Sequence, residues 1–220
     1  DVNDVAPVIT TLATQTVVEN TTLVGALSST DADTVGTNPA TFTISGGADA
    51  GLFEIVGGNL KFKAGPNYEA PGSSLNSNSY VVEVSANDGV NTTVKTLTVS
   101  VSNVDEVAPV FGSGTTASAA ENQNVLYTAV ATDTVDYTNQ GVSYSLKAGT
   151  GDEALLAIDA STGAVTLKSG NLDHEGKSSY TFTVIASDET GNRSERGVAV
   201  GVTDVNDVAP VITTLATQTV

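Results

Sequence analysis

Apolar residues in this chain come in short runs, separated by clusters of Gly, Asn, Asp and Ser, and helical periodicity is nearly absent. Runs that alternate apolar with polar, or that concentrate β-branched residues, mark strands with one buried face. The pattern predicts strands at Val8–Thr11, Thr16–Val18, Leu23–Ser29, Thr41–Ser45, Phe53–Val56, Leu60–Lys63, Tyr80–Ala86 and Thr93–Val101. A matching series follows at Tyr127–Ala131, Val142–Leu146, Leu156–Asp159, Ala164–Leu167, Tyr180–Ala186 and Arg196–Val202. A hairpin is expected around Gly57–Asn59, and a longer one within Ala157–Val165. About seven strands per hundred residues with regular punctuation predict an all-β chain of two tandem seven-stranded Greek-key β-sandwiches.

The punctuation itself repeats. Asp1–Val8 reads D-V-N-D-V-A-P-V, Asn103–Val110 reads N-V-D-E-V-A-P-V, and Asp204–Val211 restores the first text. From Pro7 to Pro109 is 102 residues, and from Pro109 to Pro210 is 101. Proline fixes φ and pushes the preceding residue toward an extended conformation, so each copy reads as a stiff acidic connector. The expected division is repeat 1 at 1–103, repeat 2 at 104–204, and a linker plus the first strand of an incomplete third repeat at 205–220. Asp204–Val220 copies Asp1–Val17 without a change. One segment breaks the register: Glu69 to Tyr80 spans 11 residues and the equivalent Glu175 to Tyr180 only 5, which marks a polar insertion at 70–79.

Composition narrows the chemistry. With 25 acidic and 8 basic residues the formal charge is −17, which argues against nucleic acid and anionic membranes, and in favour of cations. There is no cysteine and therefore no disulfide frame. With no run long and apolar enough to span a bilayer, and no leader before Asp1, the chain reads as a piece of a longer secreted or surface protein.

Acidic residues recur at equivalent strand ends in both repeats. Glu19-Asn20 precedes the strand expected at Leu23–Ser29 and Asp31-Ala32-Asp33 follows it, as Glu121-Asn122 and Asp133-Thr134-Val135-Asp136 flank the one expected at Tyr127–Ala131. Asn67-Tyr68-Glu69 and Asp173-His174-Glu175 precede the long strand, which ends in Asn87-Asp88-Gly89 or Ser187-Asp188. Like charges gathered at loop ends repel unless a cation neutralises them. Calcium, which takes about 6–8 oxygen ligands in flexible geometry, suits such a set better than magnesium.

This ordered series resembles tandem cadherin repeats, of the bacterial cadherin-like kind, with immunoglobulin-like topology. The resemblance rests on Val18-Glu19-Asn20, Asp31-Ala32-Asp33, Leu172-Asp173-His174-Glu175, Ala86-Asn87-Asp88-Gly89 and Asp204-Val205-Asn206-Asp207-Val208-Ala209-Pro210. It implies Ca2+ between consecutive repeats. At the internal junction the implied ligands are Glu19, Asn67 and Glu69, the linker side chains Asp105 and Glu106 with the carbonyls of Val104 and Val107, and Asp133, Asp136, Asp188 and the Asn139 carbonyl. Facing upstream it implies Asn3, Asp4, Asp31, Asp33, Asp88 and the carbonyls of Val5 and Asn38. Facing downstream it implies Glu121, Asp173, Glu175, Asn206 and Asp207. Asn67 and Val135 each remove a charge that the family pattern carries, so the internal site is expected to be the weaker one.

Catalytic readings do not survive. No G-x-S-x-G, H-E-x-x-H or P-loop pattern occurs, and the loop that begins at Asp31 lacks the position-twelve glutamate of an EF-hand. His174, the single histidine, reads as an exposed spacer, and the Asp173/Glu175 pair has no tryptophan sugar platform anywhere in the chain. The expected function is a non-enzymatic, calcium-stiffened extender module of a large repetitive cell-surface adhesin. The alternative is calcium-dependent adhesion to a polysaccharide or a homophilic partner, with the insertion near Pro71–Ser79 as contact surface. Neighbouring repeats of the same chain are the partners expected in either case.

Overall fold

The computed structural model describes residues 2–33, 35–36, 40–133 and 141–213. Asn38, Val135, Asp136, Asn139 and residues 214–220 of the copied tail lie outside the described residues. The chain divides into two compact units, Asp1–Val104 and Asp105–Val220.

In the first unit the strands are β1 (Val8–Ile9), β2 (Thr14–Val18), β3 (Leu23–Ala26), β4 (Ser29–Thr30), β5 (Thr41–Gly46), β6 (Phe53–Val56), β7 (Asn59–Phe62), β8 (Ser79–Asn87) and β9 (Thr92–Ser102). They form a four-stranded sheet in the order β2-β9-β8-β5 and a three-stranded sheet β3-β7-β6, with β1 paired to β4. The pieces β1 and β2 are one chain pass broken where it changes partner, and so are β3 and β4; seven passes remain. All pairings are antiparallel except β2 with β9. The second unit repeats this plan with β10 (Val110–Phe111), β11 (Thr116–Ala120), β12 (Val125–Thr128), β13 (Ala131–Thr132), β14 (Ser143–Leu146), β15 (Leu156–Ile158), β16 (Ala164–Leu167), β17 (Ser179–Ser187) and β18 (Arg193–Thr203). Its sheets run β11-β18-β17-β14 and β12-β16-β15, with β10 on β13. One-turn 3-10 helices at Ala50–Leu52 and Glu153–Leu155 precede β6 and β15.

Alternation in β8 sends Tyr80, Val82, Val84 and Ala86 inward, to meet Leu97, Val99 and Val101 of β9 and Phe53, Leu60 and Phe62 from the other sheet. The rings of Phe62 and Tyr80 meet edge to face at 5.1 Å. The second core is built the same way around Phe182, Val184, Val198, Val200, Leu156 and Val165. The β6–β7 turn needs left-handed backbone at both central positions; Gly57 (φ 57°) and Gly58 (φ 78°) supply it.

The small-residue strand β11, Thr-Ala-Ser-Ala-Ala, has no apolar alternation that could announce it. It is a strand because β18 offers it a parallel partner over its whole length. In both units a cation fastens the first pass where it crosses sheets. Lys95 donates to the carbonyls of Ile9 (3.1 Å) and Thr11 (2.6 Å). Arg196 donates to those of Ser113 and Phe111 and lies 5.2 Å from the centre of the Phe111 ring.

The insertion is anchored in place. Asp49, buried, accepts from the amides of Ser74 (2.6 Å) and Val81 (2.7 Å), and the Tyr80 hydroxyl accepts from Gly72 (3.1 Å).

Candidate metal centre

The Glu-Asn pairs owe their asparagine to backbone geometry. Asn20 (φ 59°) and Asn122 (φ 66°) sit in the left-handed region, which asparagine tolerates better than most residues. Their amides donate to the carbonyls of Pro66 and Leu172, both at 2.8 Å. That turn carries the preceding glutamate inward. Glu19 accepts from Tyr68 and Val104, each at 2.7 Å, and so clamps the loop before β8 to the start of the linker. Glu121 does the same with the amides of His174 (2.8 Å) and Val205. The His174 amide, then that of Val205, holds the Glu121 carboxyl below its ordinary pKa against a smaller upward push from burial.

In the second unit, one oxygen from each of Glu121, Asp173 and Glu175 lies within 4.8 Å of the other two. An open cavity of about 370 Å³ is lined by these residues and by Asn122 and Asp207; the Asn122 amide donates to Asp207 at 2.7 Å. In the first unit Asn67 stands where Asp173 does and accepts from the Ala70 amide (2.7 Å), as Asp173 accepts from Gly176 (2.9 Å). Glu69, Glu106, Asp4 and Asn206 are exposed.

The other set of loops makes a tighter group. Asp105, Asp133 and Asp188, all buried, bring one carboxylate oxygen each within 4.8 Å of the others. Asp188 Oδ1 accepts from the Thr190 hydroxyl (2.9 Å) and the amides of Gly191 (2.6 Å) and Asn192 (2.8 Å). Its Oδ2 is buried with no hydrogen-bond partner among the described residues. Burial works to raise the Asp188 pKa, but the bonds from Thr190, Asn192 and Gly191 outweigh it and leave the carboxyl below its ordinary value. Asp105 takes a weaker bond from the Val107 amide (3.3 Å), and its other oxygen lies 3.4 Å from the Thr190 hydroxyl, whose one proton it shares with Asp188.

The counterpart in the first unit is Asn3, Asp31, Asp33 and Asp88. Asp33 Oδ2 accepts from the amides of Asp4 (3.0 Å) and Val5 (2.8 Å), and Asp31 accepts from the Asp33 amide (3.0 Å). Asp88 Oδ1 accepts from Val90 (2.8 Å) and Asn91 (2.6 Å); burial pushes its pKa up, and these amides hold it below the usual value nonetheless.

Sequence reasoning passed over Asn91, Thr190 and Asn192. Asn91 reaches back to the Val5 carbonyl (3.3 Å), and Asn192 to that of Asp105 (2.9 Å), so each ties the connector to the loop aspartate. The signal was a polar amide three or four residues after that aspartate. His174 faces Glu175 at 3.9 Å and is half-buried.

All these groups offer oxygen. A hard cation with about 6–8 oxygen ligands fits buried carboxylates that face one another, and it supplies the partner that Asp188 Oδ2 lacks. Asp105, Asp133 and Asp188 would hold it at one end of the second unit; Glu121, Asp173, Glu175 and Asp207 would do so in the other set of loops.

Comparison with known proteins bears on the fold. The family model of the cadherin domain matches residues 115–203. The Fat-like cadherin-related tumor suppressor homolog of Drosophila melanogaster is 30% identical over 220 residues, covering 94% of this chain and 4% of that protein. Cadherin-related family member 2 of Mus musculus is 29% identical over 140 residues, 60% of this chain and 11% of its own length. The chain thus spans only a small part of either relative. Among solved structures, human protocadherin-24 EC1-2 superposes with a TM-score of 0.62 at 20% identity, covering 93% of this chain and 100% of that one. Mouse cadherin-23 EC22-24 gives 0.58 at 23% identity, with 93% and 68% covered. At those identities the structural likeness speaks for the fold alone.

Proposed function

We propose, for a chain that is built of tandem cadherin-like repeats, that it is a non-catalytic extender module whose repeats are stiffened by calcium at their connectors. The observation that carries this reading is the buried group Asp105, Asp133 and Asp188, in which Asp188 Oδ2 has no hydrogen-bond partner among the described residues. Buried like charges destabilise a fold unless paired, and calcium pairs them. In this reading Glu19 and Glu69, then Asp105 and Glu106 of the linker, then Asp133 and Asp188 serve one connector. Val104 and Val107 lend it their carbonyls, and Asp136 and Asn139 extend the set. Asn3, Asp4, Asp31, Asp33 and Asp88 serve the preceding connector with the carbonyls of Val5 and Asn38; Glu121, Asp173, Glu175, Asn206 and Asp207 serve the following one. The clamps from Glu19 to Val104 and from Glu121 to Val205 hold the start of each connector against its own unit.

The exact restart of the text at Asp204 supports an array, the setting of a large, repetitive, extracellular or cell-surface adhesin. The bacterial setting rests on the sequence resemblance; the two relatives named above are animal proteins. Thermal unfolding with calcium and with a chelator tests the reading. An ion that binds only the folded state at a hundred times its Kd adds about 2.7 kcal/mol per site. Calcium near 10 mM should therefore raise Tm by several degrees, given extracellular affinities of roughly 10⁻⁴–10⁻³ M. Superimposable melts would dispose of it.

A further inference from the structure

We propose that His174, Glu175 and Asp204 form a site for a divalent ion of the zinc class, with no counterpart at the equivalent residues of the first unit. The site does not depend on the calcium reading, which uses Glu175 but neither His174 nor Asp204.

His174 lies in the loop before β17 and Asp204 directly follows β18. Those two strands pair antiparallel, with Ser179 opposite Gly201, so the start of one lies beside the end of the other. Glu121 then fastens the two passes together. Its carboxylate accepts from the His174 amide (2.8 Å) and from the amide of Val205, the residue after Asp204. The side chains that leave this junction converge. One ligand atom from each of His174, Glu175 and Asp204 lies within 4.8 Å of the other two, and His174 Nδ1 stands 3.9 Å from Glu175 Oε1.

The donor set decides which ion fits. Calcium takes oxygen ligands, whereas an imidazole nitrogen beside carboxylates suits zinc and its d-block neighbours. Two carboxylates neutralise the dication, and a neutral imidazole adds a strong donor without adding charge. Tetrahedral zinc, with bonds of about 2.0–2.2 Å, holds its ligand atoms about 3.3–3.6 Å apart. His174 is half-buried and both carboxylates are exposed, so side-chain rotation closes the remaining distance while the Glu121 clamp keeps the backbone in place. Three protein ligands leave the fourth position to water.

The first unit supplies an internal control. There Glu19 makes the same clamp, to the amides of Tyr68 and Val104. The residues at the three ligand positions are Tyr68, Glu69 and Asn103, which offer a single carboxylate and no imidazole. The scaffold is present in both units and the ligand set in one.

His174 is the only histidine of the chain, so its imidazole spectrum reads the site directly. When the full ¹⁵N-labelled, metal-free chain is titrated with zinc chloride, one His174 ring nitrogen should take the shift of a metal-bound nitrogen. Calcium chloride over the same range should leave both ring nitrogens unligated. His174→Tyr and Asp204→Asn each install the residue that the first unit carries. In calorimetric titrations each should weaken zinc binding by at least about tenfold, the low end of what losing even an outer partner of a metal ligand costs. Zinc that binds without ligating the ring nitrogen, or that binds the His174→Tyr chain as tightly as the parent, is held by surface carboxylates alone and overturns the site. Unchanged affinity in Asp204→Asn overturns the three-residue set. The imidazole measurement needs no variant, so it decides the matter even where a substitution disturbs the fold.

Discussion

At the scale of single residues, two aspartates outside the cation cages show how one position is used in two ways. Asp49 and Asp152 both stand before the short 3-10 helix of their unit and accept from an amide at the start of the long strand. Asp49 also holds Ser74 of the insertion, whereas Asp152 is paired with Lys177 at 2.9 Å. The insertion replaces a surface ion pair with a second, partly buried amide bond. Asp49→Ala leaves two amides without their acceptor inside the unit, a loss of about 2–3 kcal/mol. Asp152→Ala breaks a half-exposed arrangement and should cost about 1 kcal/mol. Urea unfolding of the two variants measures the difference. Equal losses would show that the insertion is not held by Asp49.

At the scale of elements, the 3-10 turn of the second unit is pressed against β17. A Cβ built on Gly151 would lie 2.1 Å from the Thr181 carbonyl oxygen, on a residue whose φ is 56°. Gly149, two residues earlier, is also left-handed (φ 73°) but meets nothing within 4 Å. The pair separates backbone strain from steric contact. Gly149→Ala carries the left-handed penalty alone, about 1–2 kcal/mol. Gly151→Ala carries that penalty and must also push the turn off the strand, so it should lose at least about 2 kcal/mol more. Thermal melts of both variants should show the second Tm several degrees below the first.

At the scale of the whole molecule, each unit buries its own core, and no disulfide links them. Leu97→Ala removes a fully buried side chain from the first core and should cost that unit about 3 kcal/mol. Hydrogen exchange in chelator should then quicken at Val82 and Val84 and stay unchanged at Val184 and Val200. Faster exchange in both sets would mean that the units unfold as one.

What could be read from the text and what could not differ in physical kind. The long pair β8–β9, the Gly57-Gly58 hairpin and the two-unit plan were legible, because each depends on local chemistry or on repetition of the sequence itself. The acidic positions were legible for the same reason. Their consequences were not: the glutamate clamps on the connector amides and the supporting Asn91, Thr190 and Asn192 join residues some 85 positions apart. Strand β11 was invisible because its small residues make no pattern. The sharpest case is Ile9, which is 5% exposed although its strand is only two residues long. A two-residue strand has too few hydrogen bonds to hold itself. Ile9 is buried because Ser29–Thr30 pairs with its strand and the first core receives its side chain, and both partners come from elsewhere in the chain.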